Sequence, residues 1–201
     1  GWSDEGGAVS GWASYNGSRG LRGRNRRHRL ECGVDWRPRS NLEFGIGPSY
    51  GRDRVAAQWV DNVDDDGDDE PDHCVFGQLD NRTFEVRLRG SAAFTPRLSL
   101  QANLQPFVTT GDYDDLRELA RAHSFAFVPY SGLGDNPDFS QRSLRANVVL
   151  RWEYAPGSTV FVVWQQVHDW EHPDADYPGF APPSGALEAL TDAGSNTLLV
   201  K

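Results

Sequence analysis

Apolar and polar side chains alternate with a period of two residues along most of this chain. The alternation is regular in LECGVDW (residues 30–36) and, after the turn residues RPRS, in LEFGIG (residues 42–47). A period of two is typical of a β-strand, because successive side chains point to opposite faces. The two runs therefore predict a β-hairpin.

Two further hairpins have the same design. RTFEVRLRGSAAF (residues 82–94) returns as LSLQANLQ (residues 98–105), and SLRANVVLRWEY (residues 143–154) returns as TVFVVWQQV (residues 159–167). For the last run, which is apolar on both faces, we assign as the outer set Val160, Val162 and Trp164. Along the whole chain, the pattern predicts about seven to eight antiparallel strands.

The connections alternate in length. Short turns are predicted at residues 37–40, 95–97 and 155–158, and long polar connections at roughly 61–74, 113–140 and 169–194. Two segments in these connections, DDLRELARA (114–122) and GALEALTDA (185–193), predict short helices. Up-and-down strands with short turns at one end and long loops at the other are typical of an outer-membrane β-barrel.

Large aromatic side chains precede each short turn on the apolar phase. They are Trp36, Phe94, Trp152 and Tyr154, and Trp164 lies on the same phase of the returning strand. Amphipathic rings are stable at the boundary between headgroups and hydrocarbon. We therefore predict that these five residues form an aromatic girdle at the lipid interface.

The opposite phase is polar and predicts the lining of a barrel lumen. Its members are Glu85, Arg87, Arg89, Gln101, Asn103, Arg145, Asn147, Arg151 and Glu153. Alternation alone is equally compatible with a soluble β-sandwich, whose charged face meets water. The loop lengths, the aromatics and strand lengths near the roughly 9 to 11 residues that cross a bilayer favour the barrel.

Composition narrows the class of protein. The mean hydropathy is −0.60, and no apolar run approaches the roughly 18 to 20 residues of a membrane helix, so a helical membrane protein is excluded. The net charge of −9 is mostly local, since eight acidic residues lie between positions 61 and 72. The chain begins at Gly1 and has no Met, so we expect a piece of a longer product. Cys32 and Cys74 are too few for a disulfide framework.

The acidic segment NVDDDGDDEPDH (62–73) partly matches a calcium-binding loop. Its candidate ligands are Asp64, Asp66 and Glu70. The twelfth position is His73 instead of the bidentate Glu of such loops, and no helices flank the segment. We expect a solvated acidic loop, with calcium binding as the alternative if the chain is a soluble sandwich.

The motif HDWEH near the end of the chain raises a second metal hypothesis. His168, Glu171 and His172 have the H-x-x-E-H spacing of one class of zinc peptidases. That chemistry requires both histidines on one helical face, whereas a predicted strand runs directly into the motif and Pro173 ends it. A zinc hydrolase is therefore a remote alternative, and no catalytic residue and no cofactor are predicted.

Arginine is concentrated in RGLRGRNRRHR (residues 19–29). Stacking aromatics are not interleaved with it and the rest of the chain is acidic, so nucleic acid is not the expected partner. At the outer end of a membrane strand, these guanidinium groups would pair with phosphates of lipopolysaccharide.

Two long blocks, VFGQLDNRTFEVRLRGSAAFTPRLSLQANLQPFVTTGDYDDLRELA and DFSQRSLRANVVLRWEYAPGSTVFVVWQQ, resemble a bacterial family of unknown function. Its members are commonly described as carbohydrate-binding family-nine-like proteins with a C-terminal outer-membrane barrel. The similarity covers about residues 28 to 201. The resemblance implies that an N-terminal sugar-binding sandwich is absent from this chain and that the last strand continues beyond Lys201.

Together these features predict one all-β domain over residues 1–201, the C-terminal part of an antiparallel up-and-down transmembrane β-barrel. Its expected location is the bacterial outer membrane, and its expected partners are membrane lipid and lipopolysaccharide. It would serve as a pore or membrane anchor of an envelope protein that handles carbohydrate through the missing module.

Overall fold

The computed structural model describes residues 8–20, 24–67, 71–121, 124–173 and 195–201. Within them one antiparallel sheet contains nine strands: β1 (Val9–Gly20), β2 (Asn25–Arg39), β3 (Leu42–Val63), β4 (His73–Thr95), β5 (Leu98–Leu119), β6 (Phe127–Pro129), β7 (Phe139–Ala155), β8 (Ser158–Pro173) and β9 (Ser195–Val200). No helix in these segments is long and apolar enough to span a membrane.

The sheet is up-and-down. Its order is β1-β2-β3-β4-β5-β7-β8-β9, and short β6 pairs with the far end of β5. The predicted all-β antiparallel class is confirmed. The sheet has eight strands along its main path and short β6 beside them, so the total of nine exceeds the predicted seven to eight. In the described part of the chain the sheet is open, because no pairing joins the edge strands β1 and β9. These segments also form a single sheet, whereas a β-sandwich needs two packed sheets.

Three two-residue turns lie at one end of the sheet. They occupy positions 40–41, 96–97 and 156–157. The last two lie inside the predicted short turns, whereas the first overlaps the predicted turn 37–40 only at residue 40, because β2 continues to Arg39. Gly157 has a φ of +78°, a left-handed conformation that glycine adopts without steric cost, and Pro156 before it favours a turn. The alternation of short and long connections is therefore confirmed.

Strand length departs from the prediction. β3, β4 and β5 contain 22, 23 and 22 residues, so much of the predicted long connections is strand. The predicted helix at 114–122 is wrong over residues 114–119, which belong to β5 and pair with β4 and β6. The chain is irregular there, with a φ of 52° at Asp115. The other predicted helix, residues 185–193, lies outside the described residues.

Strand register defines two faces of the sheet. One row crosses eight strands through Val9, Trp36, Phe44, Gly90, Ala102, Val148, Trp164 and Leu198. Directly opposed residues of antiparallel strands share a face. We call the face of this row face A, and the opposite face, which carries Asp35, Arg89 and Asn103, face B. Few apolar side chains are buried in the described residues, namely Val75, Val108, Leu144 and Ala146.

Candidate functional site

Face A is apolar near the short turns, and its large side chains are exposed. Val34 and Ile46 lie opposite each other in its middle and are 46% and 48% exposed. Alternation in β2 and β3 produces this face, because every second residue is apolar. Contiguous exposed apolar side chains mark an interaction surface for a protein, a ligand or a membrane.

Four of the predicted girdle residues, Trp36, Phe94, Trp152 and Tyr154, lie near the two-residue turns. Trp164 lies further along β8, in the same cross-strand row of face A as Trp36 and Phe44. Trp36 contacts Phe44 across β2 and β3 with ring centroids 5.8 Å apart, and Trp152 contacts Tyr154 at 6.1 Å. Phe94 lies at the irregular end of β4 and is 59% exposed. The indole N–H of Trp164 donates to Asn196 at 3.0 Å. Register joins Val160, Val162 and Trp164 to Trp152, Leu150 and Val148, which confirms their shared face.

A second row with aromatic side chains lies at the boundary of the apolar zone that faces the long loops. Tyr15 pairs with Leu30, Leu30 with Tyr50, and Tyr50 with Phe84. The Tyr15 hydroxyl lies 2.6 Å from Nδ1 of His28. Sequence reasoning missed this row, although Tyr50 and Phe84 continue the apolar phase of their hairpins.

Face B carries all nine residues that were predicted to line a lumen. Arg89, Asn103 and Asn147 occupy one cross-strand row, and Gln101 lies in the next row. Ion pairs join neighbours on this face: Arg87 Nε donates to Glu85 at 2.8 Å, and Arg151 lies 3.8 Å from Glu153. The remaining member, Arg145, lines a polar depression with Glu85. Assignment of this face to a lumen stays a prediction.

Beyond the second aromatic row, face A becomes charged. Asp80 accepts two hydrogen bonds from Arg52, through Nε at 2.8 Å and through Nη2, and a third from Arg54 at 3.2 Å. Arg82 lies 3.6 Å from the same carboxylate. The hydrogen bond from Arg52 holds the pKa of Asp80 below its usual value. Register, not sequence proximity, creates this cluster, since 28 positions separate Arg52 from Asp80.

The long-loop end contains a histidine between two carboxylates. His73 opens β4, and its Nδ1 bonds Glu118 of β5 while its Nε2 lies 3.2 Å from Asp65. The ring of Tyr130 is 5.1 Å away. The bond to Glu118 raises the pKa of His73, with Asp65 adding to the effect. The contact ties the loop before β4 to the end of β5.

Carboxylates of the acidic loop accept hydrogen bonds from backbone N–H groups of the same loop. Oδ1 of Asp64 accepts the N–H groups of Asp66 and Gly67 at 3.2 and 2.7 Å, and Asp72 accepts the N–H of Asp65 at 3.0 Å. Carboxylate oxygens of Asp64, Asp66 and Asp72 lie within 4.8 Å of one another, and all three residues are exposed. The third calcium candidate, Glu70, lies outside the described residues. Calcium binding by this loop stays a prediction.

HDWEH belongs to strand β8. The backbones of His168, Glu171 and His172 pair with those of Leu144, Gln141 and Ser140. Four residues of strand separate the two histidine backbones by about 13 Å. The helical arrangement that the zinc hypothesis requires is absent from this segment. Both cysteines are free.

The comparisons with known proteins give one family. No curated protein and no solved structure matches this chain. A family model described as "Domain of unknown function (DUF5916)" matches residues 13–177, most of the chain, including strands β2 to β8. The chain therefore belongs to the DUF5916 family.

Proposed function

We propose that this chain is part of an outer-membrane β-barrel whose face A contacts lipid and whose face B lines the lumen. In this arrangement it acts as a pore or membrane anchor of an envelope protein. The single observation that carries the proposal is the exposed apolar zone of face A, bounded by aromatic side chains on both sides.

The height of this zone agrees with a bilayer. On β4 it extends from Phe94 to Phe84, ten residues, or about 33 Å along the strand at ~3.3 Å per residue. Strands tilted by about 40° would convert this length to a height of about 25 Å, the value typical of the apolar band of outer-membrane barrels. Beyond Phe84, face A carries arginines and aspartates, as expected where strands leave the hydrocarbon.

Face B supports the pore more than a packed interior. Its central rows carry arginine, asparagine, glutamine and glutamate, and Arg87 and Arg89 are about half exposed or more, at 48% and 65%. Side chains of both signs on a water-filled wall select solutes by charge. Current across planar bilayers containing the purified protein would distinguish an open pore from an anchor.

The proposal places the protein in the bacterial outer membrane, with membrane lipid as its direct partner. Carbohydrate would be handled by the sugar-binding sandwich that the family resemblance implies, and not by these residues. The long connections would face the cell exterior and the two-residue turns the periplasm, as in other outer-membrane barrels.

The decisive experiment replaces an exposed apolar residue by arginine. Ile46→Arg should be nearly neutral if face A meets water, because surface substitutions change stability by about 0.5 kcal/mol or less. If face A meets lipid, it should destabilise the inserted protein by about 2 to 4 kcal/mol. The folded fraction in vesicles, measured across a urea series by the electrophoretic shift of unheated samples, reports the difference.

Gln101→Arg is the matched control, because Gln101 is an exposed face-B residue opposite Ser91 and Val149. We expect little change for this variant. Equal effects of the two substitutions, or a protein that stays soluble without detergent, would refute the proposed orientation.

A further inference from the structure

Three arginines stand side by side in one row of face A. Arg19 of β1 pairs with Arg26 of β2, and Arg26 pairs with Arg54 of β3. The row continues through Asp80 and Asp112. Directly opposed like charges destabilise a sheet, so this row needs negative charge from a partner.

The chain itself supplies too little of that charge. The arginine row and the row before it contain five arginines and two aspartates, an excess of three positive charges. Asp80 is shared by Arg52, Arg54 and Arg82, and Asp112 lies 3.8 Å from Arg82. Among the described residues, neither Arg19 nor Arg26 has a carboxylate within 4.0 Å.

The geometry also provides a recess for a ligand. A depression beside the row is lined by charged residues of both signs, namely Arg24, Arg26, Arg54, Arg117, Asp80 and Asp114. Arg26 is exposed, and the side chain of Arg54 is 52% exposed, so guanidinium groups remain accessible to an incoming anion.

The position of the arginine row along the strands indicates which anion it would meet. It lies four residues beyond the row of Leu30, Tyr50 and Phe84, or about 13 Å along the strands. In the proposed orientation, this is where the phosphate layer of the outer leaflet follows the hydrocarbon. Guanidinium groups bind phosphate oxygens through paired, charge-assisted hydrogen bonds.

We propose that Arg19, Arg26 and Arg54 bind the phosphate groups of lipopolysaccharide on the outer surface of the barrel. Arg52 and Arg82 support the site, because they share Asp80 with Arg54 and so leave positive charge on this part of the face uncompensated. This inference rests on the proposed function, since it requires face A to meet the outer leaflet. The inference also assigns different roles to the arginines of residues 19–29, according to the face of the sheet on which each one lies.

Residues next in sequence provide a control for that division. Arg27 lies on face B, where its Nε donates to Asp53 at 2.9 Å, and Arg29 lies on the same face 3.5 Å from Glu31. Arg26 and Arg27 therefore have the same charge and adjacent positions but lie on opposite faces, and of the two only Arg27 has a carboxylate partner among the described residues.

The test measures binding of lipid A with two phosphates to the full chain in detergent micelles. The double variant Arg26→Gln/Arg54→Gln should weaken binding by about tenfold or more, because hydrogen bonds between charged groups are lost. Arg27→Gln should bind as the unmodified protein does. Dephosphorylated lipid A should bind weakly to all three proteins.

Several outcomes would overturn the proposal. Equal losses for Arg27→Gln and the double variant would contradict the assignment by face. Inorganic pyrophosphate that binds as tightly as lipid A would indicate a site for soluble anions instead of a lipid surface. A protein that inserts into vesicles but does not distinguish the two forms of lipid A would refute this site while leaving the proposed function intact.

The single variant Arg26→Gln is a control for the possibility that the double variant fails to fold. Because Arg26 has no described carboxylate partner, its removal relieves like-charge repulsion and should raise stability in detergent without lipid A. Unchanged or lower stability of Arg26→Gln would contradict the claim that like charges in this row repel one another.

Discussion

At the scale of single residues, Asp80 is the side chain on which the charged part of face A depends. One carboxylate accepts hydrogen bonds from Arg52 and Arg54 and lies near Arg82. Removing it would leave three cations without their shared counter-charge. This arrangement was not predictable from sequence, because only the register of β3 against β4 brings Arg52 and Arg54 to Asp80.

Asp80→Asn should lower stability by about 1 to 3 kcal/mol, as expected for a half-buried carboxylate that accepts charged hydrogen bonds. The midpoint of urea unfolding measures this change. Asp53→Asn breaks the exposed pair with Arg27 and should cost less than about 1 kcal/mol.

The same residue gives a pH dependence. The pKa of Asp80 is lowered in the folded protein, so its contribution is present above the unfolded value of 3.8 and is lost as the pH falls through the folded value. Unfolding followed between pH 6 and pH 2 should show this loss in the natural protein and not in Asp80→Asn.

At the scale of elements, regular alternation predicted strands well, and weak or mixed patterns did not. β2, β4 and β7 were predicted from unbroken apolar phases. β1 was missed because its apolar phase contains glycine and alanine beside Val9 and Tyr15. Residues 114–119 have helix-forming side chains, yet pairing with β4 and β6 overrides that local preference.

The contacts of His73 predict a pH-dependent attachment between elements. Protonated His73 bridges Glu118 of β5 and Asp65 of the acidic loop, near Tyr130. Because its pKa is raised, the stabilising contact is fully present below pH ~6.5 and is lost as the pH rises through the folded value.

Hydrogen exchange of residues 64–67 and 71–73 tests this attachment. After correction for intrinsic rates, protection should fall at alkaline pH in the natural protein. In His73→Gln, protection should be low at every pH. Unchanged exchange in the variant would contradict the role of His73 in holding the loop.

At the scale of the whole molecule, the two natural cysteines report the proposed orientation. Cys32 is exposed on face A within the apolar zone, whereas Cys74 lies at the start of β4 beyond it. In vesicles, a water-soluble maleimide should modify Cys74 and not Cys32, and in urea it should modify both. Rapid modification of Cys32 in vesicles would show that face A meets water.

The sequence therefore predicted strand class, turn positions and the division into two faces, because each follows from a period of two. It did not predict the second aromatic row, the Asp80 cluster or the His73 bridge. Those features join residues on different strands, and their positions depend on register and strand length.

The length of β3 has a mechanical consequence. Thirteen residues separate Tyr50 from Val63, or about 43 Å of hydrogen-bonded strand at ~3.3 Å per residue. In the proposed orientation, with a tilt of about 40°, β3 would extend about 33 Å beyond the edge of the hydrocarbon. The acidic loop, which follows Val63, would then lie well beyond the arginine row that we assign to the phosphate layer, held there by continuous strand pairing.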